Sequence, residues 1–373
     1  PPVPGTEDQI DVNYSVEEQP SGAISASLGY AGDVGLIIGA SYQENNVFGT
    51  GNSINIGINR SDFQKSFNFS FLDPYYTVDG VSRGHSMFFR KSDFQERNIA
   101  RFSTDTYGGS VNFGYPVSEV SRLGFSVGYE NTTLKEGIFP AQEISQFLAS
   151  EGKAFDLFTV TASYTMSALN RGLLPTAGKS QSFSFELTVP GSELEFARFN
   201  YNGQIFFPLG RSLVLRLRAD LGYGEAYGDT KVFPFYKNFF TGGMGAVRGY
   251  ETNSLGPQAT PSPSDRFPQF DPIGGNVLIE TSAELLFRLP LVKDQRQIKS
   301  AFFVDAGNVF NTNCPPISVI CHSPSDGELR YSAGIAVTWI TGFAPLSFAL
   351  SFPFNEKSGD ESESFQFEIG KTF

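Results

Sequence analysis

Apolar and polar positions alternate along nearly the whole chain. Ile54, Ile56 and Ile58 are separated by Asn55 and Gly57, and Phe67, Phe69 and Phe71 by Asn68 and Ser70. Phe183, Phe185, Leu187 and Val189 alternate with Ser184, Glu186 and Thr188. From Leu213 to Tyr223 every second residue is apolar, and the positions between include Arg216, Arg218 and Asp220. A period of two marks a β-strand, whose successive side chains point to opposite faces. The pattern predicts about sixteen strands, over residues 22–30, 34–43, 53–61, 66–72, 85–91, 106–115, 123–130, 155–166, 180–190, 197–207, 213–225, 276–289, 299–307, 331–340, 346–352 and 365–373. In a soluble sandwich the apolar face of such strands meets a core and the charged face meets water. Here the number of strands, their even count, their length and the Phe and Tyr near their ends favour a transmembrane antiparallel β-barrel, apolar face to lipid. Closure also removes the exposed sheet edge.

The connections alternate too. One set is short and rich in Pro and Gly: Tyr115-Pro116, Phe207-Pro208-Leu209-Gly210 and Gly342-Phe343-Ala344-Pro345. The other is long and polar: residues 131–154, 225–275, 309–330 and 353–364. This is the layout of an outer-membrane barrel with its short turns, and both chain ends, in the periplasm. Within the first long connection, Ile144, Phe147 and Leu148 have helical spacing, predicting a short amphipathic helix over 142–151 that packs on the loops. Ile10, Val12, Tyr14 and Val16 alternate ahead of a polar Glu17-Glu18-Gln19-Pro20 stretch, so residues 1–20 read as the tail end of a preceding domain and 21–373 as the barrel. Residues 1–5 lack the features of a signal peptide, and the chain reads as a mature fragment.

Composition narrows the function classes. The 373 residues include 38 Phe and 39 Gly with only 18% charged positions, a profile of strands and tight turns rather than of a helical bundle. No run of apolar residues is long enough for a transmembrane helix, which leaves a barrel possible because alternation dilutes hydropathy. A net charge of −12 disfavours a nucleic-acid surface. Cys314 and Cys321 lie in a Pro-containing loop with only His322 nearby; a local disulfide in an oxidising compartment or two free thiols fit better than a metal site. His85 and His322 are the two histidines. Ser86 follows His85 on the opposite strand face, so the pair forms no dyad, and no catalytic set emerges. Gly243-Met244-Gly245-Ala246-Val247-Arg248-Gly249 lacks the glycine spacing of a phosphate loop. The chain is read as a non-enzyme without cofactor.

The longest connection, 225–275, has a Pro-Ser tip at Thr260-Pro261-Ser262-Pro263-Ser264 and a glycine-dense element from Gly242 to Tyr250 that can fold closely against other backbone. Re-entering the barrel, it would carry Arg248 into the lumen, where a guanidinium needs carboxylate partners. Val277, Ile279, Ala283, Leu285 and Phe287 take the apolar face of their strand, which turns Glu280 and Glu284 inward; Phe302, Val304 and Ala306 do the same for Asp305.

These residues carry a resemblance. Val247-Arg248-Gly249-Tyr250 with Glu251-Thr252-Asn253-Ser254-Leu255-Gly256-Pro257 resembles the signature loop of the outer-membrane barrel insertases that carry periplasmic POTRA domains. Residues 365–373 are similar to that family's last strand, which ends in an aromatic residue. Further matches are Asn46-Val47-Phe48-Gly49-Thr50-Gly51, Asp73-Pro74-Tyr75-Tyr76-Thr77-Val78-Asp79-Gly80, Arg171-Gly172-Leu173-Leu174-Pro175-Thr176 and Phe303-Val304-Asp305-Ala306-Gly307, in order along the chain. The combination points to the assembly factors within the superfamily. The chain departs from them in carrying its cysteine pair after Asp305 rather than in the arginine-bearing loop, in Tyr250 for the commoner Phe, and in Phe373 for Trp.

The resemblance implies a sixteen-stranded barrel whose first and last strands pair weakly and part to admit client strands. It implies a lumenal pairing of Arg248 with Glu284 and Asp305, an inward bend at Gly370, and residues 1–20 as the end of a POTRA domain. The lateral seam would comprise Gly22, Ile24, Ala26 and Leu28 on one side and Phe365, Phe367, Ile369, Gly370 and Phe373 on the other, with Lys371 interrupting the apolar row. Unfolded outer-membrane proteins would be the clients. Accessory lipoproteins and a periplasmic chaperone would be partners, mostly through upstream domains, and the bilayer with its lipopolysaccharide would be the setting. A two-partner secretion transporter or passive pore, which shares the superfamily loop, is the alternative.

Overall fold

The computed structural model describes residues 20–370 apart from 32–34, 98, 211, 290–291, 293–296, 326, 343 and 358, together with residues 12, 15 and 17. The strand predicted near the N-terminus, most of residues 1–20, and the terminal residues 371–373 with Lys371 and Phe373 fall outside this set.

Sixteen strands form: β1 (Gly22–Ala31), β2 (Gly35–Glu44), β3 (Ser53–Arg60), β4 (Gln64–Asp73), β5 (Ser82–Asp93), β6 (Phe102–Ser118), β7 (Ser121–Glu136), β8 (Ala154–Leu169), β9 (Gly178–Thr188), β10 (Phe196–Pro208), β11 (Leu213–Ala226), β12 (Val277–Phe287), β13 (Ile298–Phe310), β14 (Arg330–Ile340), β15 (Pro345–Phe354) and β16 (Phe365–Ile369). Each pairs antiparallel with its sequence neighbours, and β16 meets β1 to close the barrel. The lipid-facing alternation sets the register. Ile58 lies opposite Phe67, Phe67 opposite Phe89 and Phe89 opposite Tyr107, an outward row across β3 to β6.

Three features depart from the sequence reading. Strands β6 and β7 have 17 and 16 residues and run well past the predicted ends. Apolar alternation stops where lipid stops, but the hydrogen-bond ladder continues through polar pairs such as Thr106 and Thr132, whose hydroxyls are 3.3 Å apart. At the other extreme β16 has five residues and ends at Ile369, after which Gly370 adopts φ 93° and its amide donates to the Pro345 carbonyl at 2.8 Å. A five-residue strand spans only about 17 Å at ~3.4 Å per residue, short of the roughly 25 Å apolar band of outer-membrane barrels. Finally, the two ends are less unequal than the loops suggested. Residues 61–63 make a tight connection at the long-loop end, and 74–81 a longer one at the opposite end.

Two packed regions fill the barrel. On the long-loop side, α1 (Gln142–Glu151), as predicted, buries Ile144, Phe147 and Leu148 against Phe102, Phe155 and Phe235 beneath a roof of loops. Lower down, β14 and β15 point small polar residues inward. Ser332, Thr338, Ser347 and Ser351 are all buried, and their size leaves room for a loop to lie against the wall.

Candidate functional site

The connection from β11 to β12 descends into this space. Its turn depends on glycine at one point above all: Gly249 has φ 90°, and a Cβ there would sit 3.0 Å from the Cβ of Ser351 and 3.4 Å from that of Ser332. Only a residue without a side chain lets the backbone lie so close to β14 and β15.

Arg248 is 2% exposed, and Asp305 and Glu284 are 0% and 3%. Its guanidinium grips Asp305 with two parallel bonds, Nε to Oδ2 at 2.7 Å and Nη2 to Oδ1 at 2.8 Å, while its own amide also donates to Oδ2 at 3.1 Å. Nη2 further meets Glu284 Oε1 at 3.1 Å and Ser282 Oγ at 3.2 Å, and the guanidinium carbon stands 3.6 Å above the Phe303 ring. A planar fork suits this bidentate, stacked geometry in a way a lysine would not. Glu284 carries two more cations: Arg216 Nη1 at 2.8 Å and Lys299 Nζ at 3.3 Å from Oε2. Glu280, also inward, holds the loop by accepting from Thr241 Oγ rather than by pairing with Arg248. Val247, Tyr250 and Leu255 form a fully buried apolar knot beside the pair.

The same loop is stitched to the last strand. The Glu251 amide donates to the Glu361 carbonyl at 2.8 Å and the Glu363 amide to the Gly249 carbonyl at 2.9 Å, with Tyr250 bridged to Ser362. Gln366 on β16 completes the join, accepting from the Gly249 amide at 3.3 Å and donating to the Tyr250 carbonyl at 2.8 Å. The Glu251 carboxyl lies beside those of Glu361 and Glu363; burial, the hydrogen bond to Glu361 and the neighbouring charge push it up to about 7.

A second cation holds the loop to another wall. Lys237 Nζ lies 2.8 Å from Glu130 Oε1 on β7 and 3.9 Å from Glu186 Oε1 on β9, near the rings of Phe196 and Tyr236. Above it the roof is tied through one carboxylate. Glu143 of α1 accepts from the Thr260 amide and hydroxyl at 2.9 and 2.7 Å and from the Ser318 hydroxyl at 2.9 Å. Cys314 and Cys321 are disulfide-bonded, with Cα atoms 5.8 Å apart. The segment they enclose contacts the long loop, because Gln258 donates through its amide to the Ile320 carbonyl at 3.0 Å.

The seam is thin. β1 and β16 share the pairs Tyr30 with Ile369 and Ala31 with Glu368, whereas β1 pairs with β2 along its whole length. Gly29 and Gly370 approach closely here; a Cβ on Gly370 would lie 3.4 Å from the Gly29 Cα. Gly22, Ile24, Ala26 and Leu28 on β1, and Phe365 and Phe367 on β16, have no cross-seam pair among the described residues. Among the described residues, β16 ends opposite Tyr30, so Ile24 has no partner on it.

Four contributors were not singled out from sequence: Arg216, Lys299, Lys237 and Gln366. Alternation does turn Arg216, Lys299 and Gln366 inward, the last between Phe365 and Phe367. Lys237, a lone cation amid Phe235, Tyr236, Phe239 and Phe240, carries a weaker signal of the same kind. His85 lies tilted against the Phe71 ring, and among the described residues no group of His, Cys, Asp and Glu is arranged to hold a metal.

A family model described as the Omp85 superfamily domain matches residues 46–373. The outer membrane protein assembly factor BamA of Neisseria meningitidis serogroup B is 33% identical over 398 residues, covering 100% of this chain and 49% of that protein. BamA of Neorickettsia risticii is 24% identical and covers 96% and 46%. The chain thus spans about half the length of the assembly factors it matches. The crystal structure of Haemophilus ducreyi BamA lacking POTRA domains 1–3 superposes with a TM-score of 0.87 at 31% identity, covering 100% of this chain and 74% of that one. CdiB from Escherichia coli, at 13% identity and a TM-score of 0.58 over 95% of this chain and 63% of that one, shares the fold.

Proposed function

Since the chain belongs to the Omp85 superfamily, we propose that it is the membrane-embedded barrel of an outer-membrane protein assembly factor of the BamA type, inserting client barrels through a lateral seam without covalent chemistry. It sits in the bacterial outer membrane with both chain ends on the periplasmic side. Residues 1–20 close a POTRA domain, and the Bam lipoproteins and a periplasmic chaperone engage mostly the domains upstream.

The observation that carries this reading is the seam, which among the described residues pairs only Tyr30–Ala31 with Glu368–Ile369. A client strand must satisfy its backbone hydrogen bonds before it enters hydrocarbon, where each unpaired group costs several kcal/mol. The stretch of β1 from Gly22 to Gly29 has no outer-edge pair among the described residues and offers donors and acceptors to such a strand by β-augmentation. Among the described residues, opening breaks only these two pairs. The short β16 beside it supports local thinning of the bilayer, which lowers the barrier further. Arg248, Glu284 and Asp305 anchor the loop inside the lumen, so the barrel acts as a plugged template rather than as a pore.

The test is the folding rate of a urea-unfolded client barrel in liposomes that carry the full-length protein. A Tyr30→Cys/Ile369→Cys pair, oxidised across the seam, should stop the acceleration, and reduction should restore it. Undiminished insertion with the seam locked would sink the gate, and steady ion conductance without insertion would favour the pore or secretion-transporter reading. Arg248→Ala should also lose acceleration if the lumenal anchor is needed.

A further inference from the structure

Arg60, Lys65 and Lys91 stand directly opposite one another on three adjacent strands: Arg60 faces Lys65 across β3 and β4, and Lys65 faces Lys91 across β4 and β5. Each lies two residues beyond the outward Ile58, Phe67 and Phe89, on the same face and toward the long-loop end. On the next strand Asp105 faces Lys91. One of its oxygens is 3.8 Å from Lys91 Nζ, and the other takes Lys135 of β7. One carboxylate therefore serves two cations. Arg60 and Lys65 form no ion pair among the described residues, and Asp62 and Asp93 at the adjoining strand ends are paired to none of the four.

Like charges directly across a strand pair repel. In a chain of net charge −12, composition does nothing to force such a row. Its position explains it: it borders the lipid-facing belt, where long cationic side chains run their stems along apolar surface and raise their charges to headgroup level. Adjacent strands are about 4.8 Å apart, so three cations cover about 10 Å, the reach of neighbouring phosphates on one headgroup.

We propose that Arg60, Lys65 and Lys91 form a binding site for the phosphate groups of a phosphorylated glycolipid in the outer leaflet. The site rests on the long-loop end facing outward, as in the reading above. Phosphate oxygens supply the charge-assisted acceptors the chain withholds, and the acyl chains lie on Ile58, Phe67 and Phe89. The row is two strands from the seam, so a lipid held there would border the thinned region.

Native mass spectrometry of the full-length protein tests this, with a bisphosphorylated acyl-disaccharide lipid and the same lipid after phosphatase treatment. The parent should retain the phosphorylated form about tenfold better, and the Arg60→Gln/Lys65→Gln/Lys91→Gln protein should show no preference. Lys65→Gln alone should cut the preference about threefold, which keeps the test decisive if the triple variant folds poorly. Lys135→Gln should leave it unchanged. Equal retention of both lipids by the parent, or a preference that survives the substitutions, overturns the site. So does displacement of the lipid by inorganic phosphate, which would mark a free-anion site. No client is present, so a missing lipid preference leaves the insertase reading standing, and failed client insertion leaves this one.

Discussion

Gln366 donates through Nε2 to the carbonyl of Tyr250 at 2.8 Å, joining the last strand of the barrel to the signature turn of its lumenal loop. Its Oε1 also accepts from the Gly249 amide, and at 3% exposure the side chain is enclosed. Loop and seam are thus one hydrogen-bonded unit, and the strand held from within is β16.

Gln366→Ala should uncouple them. The Tyr250 carbonyl keeps the Gly243 amide as donor, but the Gly249 amide loses its acceptor in a buried place, at a cost of about 1–3 kcal/mol. The barrel should still show the heat-modifiable mobility of a folded outer-membrane protein, while client folding in liposomes slows. Gln366→Glu restores the acceptor but sets a carboxylate beside Glu363, so it should be more defective at neutral pH than in acid.

Lys237→Met should release the loop from the opposite wall. Glu130 and Glu186 would lose the cation they share. The loss should be about 2 kcal/mol, below the ~3–5 kcal/mol of a fully enclosed pair because Lys237 keeps some contact with water. Single-channel recordings should show more frequent openings than in the parent. Exchanging the charges in Lys237→Glu/Glu130→Lys should bring the quiet baseline back; if it does not, the ion pair is not what holds the loop.

The Glu251 carboxyl gives the loop a pH dependence of known sign. Its folded pKa is raised from 4.5 to about 7, so the proton is favoured in the folded arrangement. The stabilisation is complete below about pH 4.5 and is lost as pH rises through about 7. Hydrogen exchange at the Glu251 and Glu363 amides, corrected for intrinsic rates, should therefore speed up across that window. Glu251→Gln should flatten the profile.

Removing the disulfide with Cys314→Ser/Cys321→Ser should act locally. The closed loop is short, and its chain-entropy contribution is about 2–3 kcal/mol. It is bonded to the roof at Gln258 and Thr260 rather than to the barrel wall. Amide protection at Gln258 and Val319 should fall, with the unfolding temperature of the barrel little changed.

Alternation makes the wall legible because lipid enforces it residue by residue. Ile58, Phe67 and Phe89 face outward for the same reason that Glu284 and Asp305 face inward. It fails where lipid ends: nothing in the period of two announces that β6 and β7 continue to Phe102 and Glu136, since those pairs are selected by the roof above them. It also misses the break at Gly370, where φ 93° ends the β16 that Phe367 and Ile369 announce. The inward face of Gln366 is readable, but its partners come from a loop over a hundred positions away, and the side chain itself says nothing about which backbone it will meet. Lys237 is harder still, because a cation in a loop is ordinarily solvated and its burial follows from the aromatic residues around it.

The roof has a consequence for recognition at the long-loop end. Glu143, Thr260 and Ser318 come from three distant stretches of chain and meet at one carboxylate. An antibody or phage that grips this cap reads a conformational epitope, and a linear peptide copied from any one of the loops would present none of it.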